Sequence, residues 1–198
     1  TGCPYWTVDI GSFFTRKGRE WFRAGDFDAG VDDMGYREYY VRMLQYGAFL
    51  PLFRSHGTDT PREIWRFGRP GEPFYDSILR MIRFHYRLIP YIYSLAGKVT
   101  QESYTMSRLL AFDFADDARV HDIKDEFMFG PAFLVCPVTR PMYYDKGSVA
   151  LQGVEKTRTV YLPEGTDWVD FWSGKKYRGG RDVKADAPID RIPLFVRQ

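Results

Sequence analysis

The sequence predicts a parallel α/β unit followed by an antiparallel β domain. Up to about residue 100, short apolar runs alternate with two long stretches of helical periodicity, the order of a parallel strand–helix–strand–helix arrangement. The rest breaks into short β-like runs separated by Gly- and Pro-bearing turns. Hydrophobic residues make up 44% of the 198, enough for a core in each part.

Residues 4–10 read as a buried strand, and a loop rich in Gly, Asp and Arg continues to about Asp33. A helix is expected from about Met34 to Tyr46, because Tyr36, Tyr39, Tyr40, Met43 and Leu44 fall on one apolar stripe. Glu38 and Arg42 sit four apart on the polar side, in the favourable order for a helix ion pair. Phe49–Phe53 reads as a strand or strand entry in which Pro51 donates no amide. After a loop at Thr58–Pro73, a second helix is expected from about Tyr75 to Ala96. Its apolar positions include Ile78, Met81, Ile82, Ile89 and Ile92, and Arg80, Arg83 and Arg87 form a basic stripe; Pro90 should kink or divide it. Beyond Glu102–Tyr104, β-like runs lie at Leu109–Phe114, Phe127–Phe129, Ala132–Val138, Arg158–Leu162, Trp168–Phe171 and Ile192–Val196. The boundary is placed between residues 101 and 102.

Net charge is +2 with both signs interspersed and no basic block, which argues against nucleic acid or anionic membrane as a partner. No apolar run is long enough for a membrane span. The chain opens at Thr1 without Met and is expected to belong to a larger fold. Cys3 and Cys136 sit in apolar runs and are expected as buried free thiols; with no nearby His cluster, neither a metal nor another cofactor is expected. Aromatic residues reach 18%, which by itself means packing; where they share a segment with Asp, Arg and His, the mixture suits carbohydrate.

Two segments have that mixture: Pro4–Phe14 and Leu52–Gly57. Each is a short apolar run ending in polar groups before a glycine-containing loop, as at a barrel strand whose tip faces a ligand. Asp9 at such a tip is a ligand for sugar hydroxyls, a catalytic carboxylate or a loop cap. Arg54 and His56 flank Ser55 on an extended segment, so both point to one side while Phe53 and Ser55 face the other. The plainer reading is an ion pair with a satisfied histidine nearby. Trp6 and Phe13, taken alone, suit a core.

Taken together, the motifs resemble glycoside hydrolase family 31, the retaining α-glucosidases and α-xylosidases. Pro-Tyr-Trp-Thr-Val-Asp-Ile-Gly-Ser-Phe-Phe at 4–14 resembles the family's strand-seven segment, and Phe-Leu-Pro-Leu-Phe-Arg-Ser-His-Gly at 49–57 its strand-eight segment. Pro61-Arg-Glu-Ile-Trp65, Tyr86–Leu95 and Phe127–Val138 match further blocks in the family's order. The resemblance implies the last two β/α units of a (β/α)₈ barrel at 1–101 and a β-sandwich at 102–198. It gives Asp9 and His56 roles in binding the sugar at the cleavage subsite. Arg54 would order neighbouring carboxylates, Phe13 would be an aromatic wall, and Trp6 would lie nearby. Ser12 stands where many members have glycine. The stretch at 56–65 looks more like the bacterial branch containing α-xylosidases.

The implied function is that of part of an exo-acting α-glycosidase acting on terminal α-xylosyl or α-glucosyl residues of an oligosaccharide. The family's nucleophile and proton-donor segments are absent from these 198 residues, so the chain alone is expected to be inactive. The remainder of the barrel, in a companion or parent chain, is its expected partner. The resemblance leans toward a secreted or periplasmic enzyme. A non-catalytic glycan-binding or scaffold protein is the alternative.

Overall fold

Asp33 starts the first helix: its carboxylate accepts the Gly35 amide at 2.8 Å, satisfying one of the free N–H groups at a helix start. In the computed structural model, which describes residues 4–17 and 25–198, α1 spans Met34–Gly47. Cys3 and the 18–24 portion of the first loop lie outside the described residues. α2 runs Pro73–Glu102, 30 residues, with Pro at its first position and Ser103 closing it in the left-handed conformation at φ 54°. At 1.5 Å per residue α2 is about 45 Å long. Pro90 does not divide it; the proline is exposed, while Leu88 and Leu95 on either side are buried.

The apolar runs at 4–10 and 49–53 are not full strands. The isolated parallel bridge among the described residues joins Ile10 to Ser55, two residues past the second run, with bends and turns around it. Extended segments become strands through ladder partners, and among the described residues each of these has the other alone.

Beyond α2, β1 (Ser107–Leu109) leads into a short helix α3 (Leu110–Asp113), where the sequence suggested a strand through Phe114. Then follow β2 (Phe127–Phe129), β3 (Phe133–Val135), a β4–β5 hairpin (Tyr144–Asp145, Val149–Ala150), β6 (Thr157–Leu162), β7 (Asp167–Asp170), β8 (Lys176–Arg178), β9 (Arg181–Asp186) and β10 (Leu194–Arg197). One antiparallel sheet has the order β1-β2-β3-β10-β7-β8; β6 and β9 form a second layer.

Alternation along the central strands explains the layering. Met128, Leu134 and Phe195 belong to one core with Val160, Leu162 and Trp168, on the side of β6 and β9. Their neighbours Phe129, Val135 and Leu194 belong to another, with Phe49 and with Leu88 and Leu95 of α2. Successive side chains point to opposite faces of a strand, so the sheet is buried on both. Its central strands β2, β3 and most of β10 accordingly read as continuous apolar runs. A third core joins Ile10, Tyr36, Tyr40, Leu44, Phe67, Ile78 and Met81 between the two helices. Cys136 is a buried free thiol.

One face of α1 differs from the sequence reading. The expected Glu38–Arg42 pair is present, with Arg42 Nε 3.8 Å from Glu38 Oε1, but it is buried: the side chains are 1% and 5% exposed. Glu38 accepts the amides of Met142, Tyr143 and Tyr144, each at 2.8 Å. Arg42 donates to the carbonyls of Ala187 and Pro188 at 2.9 Å, and Gln45 donates to Ile189 O at 2.7 Å. Asp33 takes the Gly147 and Ser148 amides at 2.7 and 2.9 Å. A polar stripe of α1 thus ties the helix to the backbone of two distant loops. Gly35 permits this approach, because a Cβ there would collide with the Asp145 carbonyl. Among the described residues, no helix is long and apolar enough to cross a membrane.

Candidate functional site

The two apolar segments run side by side for most of their length. Near their starts, Leu52 N donates to Trp6 O at 3.4 Å and Thr7 Oγ1 donates to Leu52 O at 2.8 Å. Further along, His56 N donates to Ile10 O at 3.4 Å and Thr58 N donates to Phe13 O at 3.0 Å. This register places Asp9 and His56 on either side of the Ile10–Ser55 bridge.

Alternation then sorts the side chains. Ile10 is 1% exposed and packs toward α1, where a Cβ on Gly47 would collide with it. Asp9, one residue earlier, points away and forms an ion pair with Arg54 Nη2. Asp9 is 30% exposed and Arg54 51%, so the pair faces open space. Phe53 turns inward and stacks on His85 at 4.4 Å between ring centroids, and His85 Nδ1 meets Ala48 O at 2.9 Å. Ser55 Oγ donates to Ile10 O at 3.2 Å and accepts from Tyr40 OH at 3.0 Å. The His56 ring is exposed and lies against Phe13 with centroids 5.3 Å apart. Asp9 with Arg54, and His56 with Phe13, therefore occupy adjacent strand tips.

Trp6 is not part of this cluster. It stands at the other end of its segment, 52% exposed, beside a cavity of about 500 Å³ that it lines with Tyr46, Leu109, Glu126 and Phe127. Parity accounts for the difference: Trp6 and Ile10 share the side facing α1, and Asp9 takes the opposite one.

The tips rest on residues the sequence reading quoted within a motif block but gave no role. Asp59 accepts the amides of Thr15 and Arg16 at 2.9 and 3.0 Å, and the Thr15 hydroxyl at 2.9 Å. Its partial burial favours the neutral acid, but the amides of Arg16 and Thr15 outweigh this and hold its pKa below the usual carboxylate range. Ser12 occupies the left-handed region at φ 61°, which is why glycine suits this position. Its Oγ lies 2.7 Å from Tyr39 OH, a bond glycine lacks. The serine thus anchors the turn to α1. Its position and spacing gave no sign of this, since Tyr39 lies 27 residues away.

Two family models cover almost the whole chain. Residues 1–95 match the glycosyl hydrolases family 31 TIM-barrel domain, and residues 103–198 match the glycosyl hydrolase family 31 C-terminal domain. The chain belongs to glycoside hydrolase family 31. An α-xylosidase of Saccharolobus solfataricus is 40% identical over 197 residues, covering 100% of this chain and 23% of that protein. The crystal structure of a family 31 α-xylosidase from Xanthomonas citri superposes with a TM-score of 0.73 at 47% identity, over 82% of this chain and 16% of the other. Alpha-glucosidase 2 of Bacillus thermoamyloliquefaciens is 31% identical over 163 residues, 81% of this chain and 19% of its own. The chain therefore spans less than a quarter of the length of these relatives. It combines a part of the family 31 barrel with the β-sandwich that packs against it.

Proposed function

We propose that this chain contributes substrate-binding groups to an exo-acting retaining α-glycosidase that removes terminal α-xylosyl or α-glucosyl residues. In this reading the Asp9 carboxylate accepts hydrogen bonds from sugar hydroxyls, and His56 binds hydroxyls of the same ring. Arg54 fixes the Asp9 carboxylate, and Phe13 gives an apolar wall beside the imidazole. Trp6 has no part in it.

The supporting observation is the exposed Asp9–Arg54 pair next to the His56–Phe13 contact, on two strand tips joined by the Ile10–Ser55 bridge. Retaining glycosidases use a nucleophile and an acid/base carboxyl roughly 5–5.5 Å apart. Both would come from the remainder of the barrel, which is the partner this reading requires. Hydrogen bonds from Asp9 and His56 would strengthen as the sugar flattens toward an oxocarbenium-like state, lowering the barrier without any covalent role for this segment.

The test is turnover of 4-nitrophenyl α-xyloside and α-glucoside by the intact protein. Asp9→Ala and His56→Ala should each reduce kcat/KM by about 100-fold or more, the scale of losing a hydrogen bond made in the transition state. Unchanged kcat/KM in both variants overturns the assignment. The preferred glycoside would separate xylosidase from glucosidase.

A further inference from the structure

Between the two strand tips lies a guanidinium that touches neither Asp9 nor His56. Arg62 stands just after the second tip, and its side chain reaches back across it. Nη1 donates to Thr60 O at 2.8 Å, while Nη2 donates to Ser12 O and, at 3.3 Å, to Gly11 O. One planar group therefore joins the turn after Asp9 to the turn after His56. Other contacts hold it there. Tyr40 OH, itself bonded to Ser55, lies 3.4 Å from Arg62 O, and Tyr36 OH donates to Gly11 O at 3.0 Å. Gly57 clears its path, since a Cβ there would collide with the guanidinium.

We infer that Arg62 is a positioning residue: it clamps the Gly11–Ser12 turn to the 57–60 turn and so fixes Asp9 relative to His56. The inference rests on the proposed sugar-binding role of those two residues. Its chemistry follows from guanidinium shape. Two diverging N–H-bearing nitrogens can serve carbonyls on two chain segments at once, which the single ammonium of lysine does less well. The tips are also joined by the Asp9–Arg54 pair, by Ser55 to Ile10 O and by Asp59 to Thr15 and Arg16, but none of these bonds ends on Gly11 or Ser12; misplacement by about 1 Å can cost 100-fold in rate. Arg62 acts through the other residues and touches no substrate.

The experiment uses the intact enzyme, with 4-nitrophenyl α-xyloside and α-glucoside as probes and methylguanidine as an additive. Arg62→Met should lower kcat/KM by about 10- to 100-fold, with most of the loss in kcat. Arg62→Lys should restore part of it, and methylguanidine should partly rescue Arg62→Met. In a His56→Ala background, Arg62→Met should cost less than about threefold, because the geometry it preserves no longer has a purpose. A structural role alone would give the same fold loss in both backgrounds and no rescue, and that result overturns the inference. So does an Arg62→Met enzyme within about threefold of the parent while Asp9→Ala and His56→Ala are impaired. Unimpaired Asp9→Ala and His56→Ala variants would instead sink the sugar-binding reading, and the clamp's purpose with it.

Discussion

Two of the acidic residue–arginine pairs among the described residues differ in use. Asp9 and Arg54 meet at the strand tips, 30% and 51% exposed. Glu38 and Arg42 lie one helical turn apart on α1, 1% and 5% exposed. The Glu38 oxygens are occupied by the amides of Met142, Tyr143 and Tyr144, and Arg42 is spent on the carbonyls of Ala187, Pro188 and Arg191. Only Arg42 Nε, 3.8 Å from Glu38 Oε1, lacks a hydrogen bond, and it is buried, so the pair presents nothing to a ligand. Asp9 has Arg54 on one oxygen and open space beside it. The lesson is that satisfaction, and not charge, separates a group that builds the fold from one available to bind.

The strongest way to break this contrast is Glu38→Ala, which strands a buried guanidinium and three amides. It should destabilise the intact protein by about 3–5 kcal/mol in urea unfolding, the scale for removing one partner of a buried pair. A loss under about 1 kcal/mol would mean the stripe is not structural.

Glu126 sharpens it as a buried carboxyl that is only half satisfied. Burial pushes its pKa up from 4.5 to about 7, against the opposing pull of the Tyr161 amide and Arg158. Its Oε1 accepts Tyr161 N at 3.0 Å and Arg158 Nη2 at 3.3 Å, and its Oε2 has no hydrogen-bond partner among the described residues. A raised folded pKa stabilises the protein fully below pH 4.5, and the contribution fades as pH rises through about 7. The loss over that window amounts to at most about 3 kcal/mol. Glu126→Gln should flatten the pH dependence of unfolding between those values; an unchanged slope refutes the assignment.

At the tips the effects should be kinetic. Arg54→Met leaves the Asp9 carboxylate free to rotate and should lower kcat/KM about tenfold, or about 1.4 kcal/mol, with little change in thermal midpoint. A large midpoint shift without a kinetic effect would place Arg54 with Arg42. The smallest effect belongs to Asp190→Ala. Its pair with Arg80 is 32% and 51% exposed, and removing it should cost less than about 1 kcal/mol by urea unfolding.

Legibility in the sequence followed the range of the forces involved. The span of α1 was readable from its stripe, and β2 at Phe127–Phe129 from its apolar run, because local pattern decides both. The alternation of Phe53 and Ser55, which meet His85 and Tyr40, with Arg54 and His56 followed from period two. Leu109–Phe114 was misread because a short apolar run fits a strand or a helical turn equally well. β9 was missed because Arg181, Asp182, Lys184 and Asp186 conceal an inward Val183 and Ala185. The polarity of Glu38 was plain, but its partners lie more than 100 residues away, and no helical period reports which loop will pack there. Ser12 and Arg62 were invisible as supports for the same reason: their partners are carbonyls and a distant hydroxyl, which leave no mark on residue type.

The stripe from Asp33 to Gln45 also sets how the strand tips are held. The same helix whose Tyr36 and Tyr40 brace Gly11 and Ser55 is bolted, on its far side, to loops at 142–148 and 187–189. The β-sandwich thereby works as a splint: a crack anywhere along that seam would be felt as slack at the strand tips, with no residue of the tips altered.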